Sequence, residues 1–182
     1  MKLLFFAGAL RADSCNKKFV REAMRLVDAK GGHQCEFLDL KDYPMPPYDG
    51  DIEATQGIPA SVKQLGAKIS GADALILSTP EYNGSIPGIL KNVIDWLSRD
   101  KPVSLTGKPL LLLAASPGAL GGVRSLWHTR QPLEVLEVFV YPGMLGLPAA
   151  YTAFDEQGRL KDEKMVARLQ KLLDQFLGHV GG

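Results

Sequence analysis

Five short apolar runs, each stopped by glycine, proline or polar residues and each followed by a stretch with helical spacing, constrain this chain more than any other feature. They are KLLFFA (2–7), QCEFLDL (34–40), ADALILS (72–78), LLLLAA (110–115) and LGLPA (145–149). Runs that are apolar almost throughout mark strands covered on both faces, and strands alternating with helices make a parallel sheet sandwiched between helical layers. Helices are expected over Asn16–Lys30, Ser61–Ser70, Gly88–Ser98 and Asp162–Leu177, with another starting near Val123. Pro132 lies inside that last pattern, so the spacing predicts two helical segments there. Between Lys41 and Pro59, four prolines and two glycines predict a long surface loop.

In an open parallel sheet, ligands bind beyond the carboxyl ends of the strands, where the strand order reverses. Three loops therefore carry the functional expectation: GALRADSCN (8–16), TPEYNGSIP (79–87) and SPGALGG (116–122). Composition narrows what they can serve. The 182 residues suit one domain spanning the whole chain, and 21 basic against 20 acidic residues leave a net charge of +1. No strong field draws the chain to nucleic acid or to an anionic membrane. The longest apolar run, PLLLLAA, falls far short of the roughly 20 residues that span a bilayer. LLFFA near the start is short for an export signal, and two cysteines make no disulfide framework, so a cytoplasmic setting is expected.

The first loop joins a buried strand to a helix through Gly8, Leu10, Arg11, Ser14 and Asn16. A helix start offers unpaired N–H groups and partial positive charge; Arg11 adds a cation, and Ser14 and Asn16 add side-chain donors. That set suits a phosphate, and it equally suits a capped helix with a solvated arginine. The loop is no P-loop, because the Gly-Lys-Ser/Thr ending is missing, and G-x-G-x-x-G is absent. Cys15 and Arg21 have the spacing of a phosphatase nucleophile and its cradle, but both fall in helix and the intervening residues contain no glycine. The second loop brings Pro80, Glu81, Tyr82, Asn83, Gly84 and Ser85 to a strand end. Tyrosine can stack on a flat ring and glycine lets the backbone approach it; a plain Asn-Gly turn explains the same residues. The third loop adds Ser116, Gly118, Gly121 and Gly122. The cysteines and the three histidines show no ligand spacing, so no metal is expected.

Taken together, the loops resemble those of the NADPH-dependent FMN reductase family, flavodoxin-like enzymes that include quinone and chromate reductases and azoreductases. GALRADSCN is similar to the family's G-S-L-R-x-x-S-x-N segment, with Ala9 replacing a serine. PEYNGSIPGILKNVIDWLS (80–98) matches P-E-Y-N-x-S-x-P-G-x-L-K-N-x-I-D-W-x-S throughout, and SPGALGGVRS resembles S-x-G-x-x-G-G-x-R. The resemblance implies a doubly wound five-stranded sheet in the order 2-1-3-4-5. It implies FMN phosphate on Gly8, Leu10, Arg11, Ser14 and Asn16, and the isoalloxazine among Pro80, Glu81, Tyr82, Asn83 and Gly84. Ser116, Gly118, Gly121 and Gly122 are implied contacts on the flavin side. Lys91, Asn92, Ile94, Asp95 and Trp96 become packing or dimer residues, and Arg124 a flavin or interface residue.

The activity implied is hydride transfer from NADPH or NADH through FMN to a small acceptor such as a quinone, free flavin, azo compound or metal oxyanion. No side-chain base is needed, because the cofactor carries the chemistry and backbone N–H groups near Asn83, Gly84 and Ser85 can stabilise the reduced ring. A homodimer or homotetramer is the implied assembly. A flavodoxin-type electron carrier and a flavin-free interaction module of the same fold are the competing readings.

Overall fold

The computed structural model describes residues 1–182. In chain order the elements are β1 (Lys2–Ala7), α1 (Cys15–Lys30), β2 (Gln34–Leu38), α2 (Gly50–Gln56), α3 (Ala60–Ser70), β3 (Ala74–Thr79), α4 (Gly88–Arg99), β4 (Pro109–Ala115), α5 (Val123–Val135), β5 (Phe139–Leu147) and α6 (Glu163–Gly181). The sheet is parallel in the order β2-β1-β3-β4-β5, so the order reverses between β1 and β3. This is the expected fold, and its strands divide their side chains between two cores with the period of two that a pleat imposes. Leu4, Phe6, Leu75, Leu77, Leu110 and Leu112 face α3, α4 and α5. Leu3, Phe5, Ile76, Leu111 and Leu113 face α1 and α6. No helix is long and apolar enough to cross a membrane.

Three expectations are corrected. The Lys41–Pro59 segment is not all loop: a 3-10 turn covers Leu40–Asp42, and α2 forms with Asp49 accepting from the Asp51 N–H at 2.8 Å and Gly57 closing the other end. Local caps and the packing of Ile52 on the core outweigh the breakers. Pro132 does not divide α5. Leu126 and Leu133, on either side of it, are buried in one core, and the helix ends three residues past the proline. The last strand begins at Phe139, not near Leu145. Leu110 pairs with Val140 and Leu112 with Met144, so Tyr141, Pro142 and Gly143 stand opposite a single residue in a bulge. β5 is an edge strand, where a proline without an N–H is tolerated. Arg130 takes up bulge carbonyls, donating to Tyr141 at 3.0 Å and Val140 at 3.2 Å.

Helix α4 shows what its matched motif does. Ile94 and Trp96, with Leu97 beside them, are buried within the chain, which leaves Ile94 and Trp96 as packing and not dimer residues. Asn92 and Trp96 lie one turn apart and clamp the proline-rich strap 44–48. Both Asn92 Nδ2 (2.9 Å) and Trp96 Nε1 (2.8 Å) donate to the Pro46 carbonyl, and Asn92 Oδ1 accepts from the Tyr48 N–H at 2.7 Å. Tyr48 then meets the Trp96 ring edge-on at 5.1 Å. Lys91 and Asp95 form an exposed ion pair at 2.6 Å. Asn92→Ala removes both strap bonds of that side chain and is expected to cost about 1–3 kcal/mol in urea unfolding, with faster proteolytic cleavage within residues 44–48.

Candidate functional site

The three loops meet at the carboxyl end of the sheet, and the residue that joins them is Asn16. Its side chain is buried at the second position of α1. Nδ2 donates to the Ala115 carbonyl at 2.9 Å, and Oδ1 accepts from the Ala115 N–H and from Ser78 Oγ, both at 2.8 Å. Asn16 thus ties α1 to the ends of β3 and β4, and its carboxamide is bonded to protein groups where a phosphate contact was expected. Gly8 is placed the same way: its N–H donates to the Ser78 carbonyl at 2.9 Å, and a Cβ there would come within 3.0 Å of Leu90.

The rest of the first loop is open. None of the N–H groups of residues 9–13 donates to an acceptor in the protein. Ser14 caps α1, its Oγ accepting from the Asn16 N–H at 3.2 Å, which leaves the hydroxyl proton free to donate. Arg11 is exposed, with Asp13 at 3.8 Å as its partner, and Lys18 also pairs with Asp13. Those cations, Lys18 foremost through its hydrogen bond, hold the Asp13 carboxyl below its ordinary range. Cys15 opens the helix. Burial pushes its thiol up, which keeps it protonated and removes the nucleophile that a phosphatase needs.

In the second loop, Asn83 and Gly84 have φ of +52° and +76° and form a tight turn closed by reciprocal bonds of 3.1 Å between Tyr82 and Ser85. The Ser85 N–H is therefore occupied, while those of Asn83 and Gly84 have no acceptor in the protein. The Ser85 hydroxyl meets His128 Nδ1 at 2.9 Å. Pro80 is buried, its carbonyl accepting from Ser125 Oγ at 2.8 Å.

Glu81 holds this loop against the third. Helix α5 has no side-chain cap of its own, and Glu81 supplies one from outside. Its Oε2 accepts from the N–H groups of Arg124 (3.1 Å) and Ser125 (3.4 Å), and its Oε1 accepts from Arg124 Nε at 2.9 Å. A carboxylate at a helix start is favoured by the dipole, so the side chains of Glu81 and Arg124 have structural partners. Gly121 and Gly122, at φ of +61° and +88°, are required by space: a Cβ on Gly121 would lie 2.8 Å from the Gly146 backbone, and one on Gly122 2.8 Å from Ala114. Gly118 is exposed, donating its N–H to Ser116 Oγ at 3.3 Å.

Four large hydrophobic side chains also remain at the surface. Leu10 (43% exposed), Tyr82 (55%), Leu120 (61%) and Tyr151 (70%) come from the loops after β1, β3, β4 and β5. Large side chains left exposed on four loops of one sheet end suit contact with a flat, largely apolar ligand beside the unpartnered N–H groups of the first loop. Tyr151 and Leu120 carried no motif signal in the sequence. Their exposure is the only mark of them.

If Glu81 acts as the cap of α5, Glu81→Ala lowers stability by about 1–2 kcal/mol and speeds hydrogen exchange at the Arg124 and Ser125 amides, with Glu81→Gln retaining part of both. Unchanged exchange would return Glu81 to the ligand.

The NADPH-dependent FMN reductase family model matches residues 1–152. An NAD(P)H-dependent FMN reductase of Pseudomonas aeruginosa is 39% identical over 175 residues, covering 95% of this chain and 91% of that protein. A quinone reductase of Escherichia coli is 37% identical over 182 residues, covering 97% and 93%. Among solved structures, the NAD(P)H:(acceptor) oxidoreductase FerB of Paracoccus denitrificans superposes with a TM-score of 0.82 at 30% identity, covering 99% and 97%. A flavodoxin of P. aeruginosa, at 17% identity and a TM-score of 0.62, shares the fold. The matches run through the sheet and through all three loops described at its carboxyl end, and the chain belongs to the NADPH-dependent FMN reductase family.

Proposed function

We infer that this chain is an FMN-dependent NAD(P)H oxidoreductase acting on small acceptors of the quinone type. The observation that carries the assignment of the site is the run of unpartnered N–H groups at residues 9–13, at the start of α1 and beside Arg11. A phosphomonoester matches that donor set, since N–H groups, the Ser14 hydroxyl and a guanidinium all favour a doubly charged oxyanion.

Within this reading Leu10, Arg11 and Ser14 hold the phosphate, while Gly8 and Asn16 hold the loop. The N–H groups of Asn83 and Gly84 face charge on the ring, and Tyr82, Leu120 and Tyr151 line it. Ser116 and Gly118 bound the same side, with Glu81, Gly121 and Gly122 fixing the two loops against each other. Bound there, the flavin supplies a two-electron carrier between NADH or NADPH and the acceptor. The chain's part is to orient both partners at one open face and to aim preset N–H dipoles at developing negative charge, with no side-chain base. The exposure of Trp127 (56%) and Leu120 supports assembly into a homodimer or homotetramer through this side of the molecule.

Heat denaturation of the purified protein is expected to release FMN at one per chain. Initial rates with NADPH or NADH against a quinone should give parallel double-reciprocal lines, as one site visited in turn requires. A protein reduced only by a redox partner would instead be a carrier, and one that binds no flavin an interaction module. Arg11→Ala should weaken FMN binding by about tenfold to a hundredfold, the worth of one charge-assisted contact, with the unfolding temperature of the apoprotein unchanged.

A further inference from the structure

Helix α1 begins with a charge of the wrong sign. Its first turn holds no acidic residue and carries Lys17, although a helix start repels cations. The lysine is also buried: its side chain is 5% exposed. Its ammonium donates to Asp39 Oδ2 at 2.7 Å, just past the end of β2, and to the Leu10 carbonyl at 3.3 Å. That second bond reaches the stretch in which no N–H has a partner in the protein. Asp39 is anchored in turn, its Oδ1 accepting from the Lys41 N–H at 3.0 Å. Burial works against the Asp39 carboxylate, but the hydrogen bonds from Lys17 and the Lys41 N–H, with the Lys17 and Arg21 charges, hold its pKa below the ordinary range. The Asp39 carboxylate therefore stays charged at neutral pH.

We propose that Lys17 is the positioning residue of the anion-binding loop, fixing the Leu10 carbonyl so that the neighbouring N–H groups stay preset for a phosphate. The lysine touches Leu10, not the ligand. A carbonyl held from behind cannot turn toward the site, where its oxygen would repel an anion, and preset donors cost no reordering when the ligand arrives. Lys17 thereby controls the preference for a phosphorylated over an unphosphorylated flavin. The proposal rests on the FMN reading of this loop.

The test is the ratio of FMN to riboflavin dissociation constants, measured by flavin fluorescence on apoprotein. Wild type should favour FMN. Lys17→Met should weaken FMN by about tenfold, the worth of a charge-assisted bond, and leave riboflavin unchanged. Lys17→Arg should restore most of the difference. The double variant K17M/D39N, which leaves no unpaired carboxylate, should repeat the K17M ratio, and it replaces K17M should that variant fail to fold. A wild type that binds the two flavins equally overturns the reading of the loop, and the proposal with it. A preserved ratio in the variants, an equal loss for both flavins, or failure of both variants to fold overturns the proposal alone, leaving Lys17 a purely structural residue.

Discussion

The carboxamide of Asn16 is the interaction on which the rest of this site depends. β4 ends at Ala115, one residue past its last pairing with β3, and the Ala115 N–H and carbonyl need partners where that ladder stops; the Ser78 hydroxyl, buried near the end of β3, needs one too. One buried side chain at the start of α1 supplies three bonds to them. It satisfies the end of β4 and the Ser78 hydroxyl of β3, and it also sets where the helix begins relative to the sheet. The loops after β1, β3 and β4 are held in one frame by a group that itself lies beneath the surface.

A division of labour follows. Buried residues around the site hold loops: Glu81 caps α5, Gly121 lets the third loop rest on the Gly146 backbone, and Lys17 spans from Asp39 to the first loop. Exposed ones, Arg11, Tyr82, Leu120 and Tyr151, stay at the open surface of the same sheet end. Such an arrangement places fixed dipoles and a cation at an open surface before anything binds. That is the condition under which weak contacts discriminate between ligands.

The far edges of the sheet are managed by the same means. At β5 a bulge with Pro142 interrupts the edge, and Arg130 covers carbonyls that it releases. Beyond β2, a strap poor in N–H groups cannot extend the sheet, so Asn92 and Trp96 of α4 bond its Pro46 carbonyl instead. In both places prolines that interrupt regular backbone pairing are matched by side chains arriving from a helix.

Most of the fold was legible in the sequence, because apolar periodicity is a local property: β1, β3, β4 and the faces of α1, α4 and α6 follow from spacing alone. So did the three loops, since glycine and polar clusters at strand ends need no distant partner to be recognised. Where two local signals disagreed, tertiary packing decided. Leu126 and Leu133 kept α5 whole across Pro132, caps at Asp49 and Gly57 made α2 within a proline-rich segment, and pairing with Pro109 and Leu110 drew Phe139 and Val140 into β5. The roles of Asn16, Glu81 and Lys17 were likewise decided only in three dimensions. A polar side chain's type is written in the sequence, but its function is set by the partners it reaches, and these lie 7 to 99 residues away.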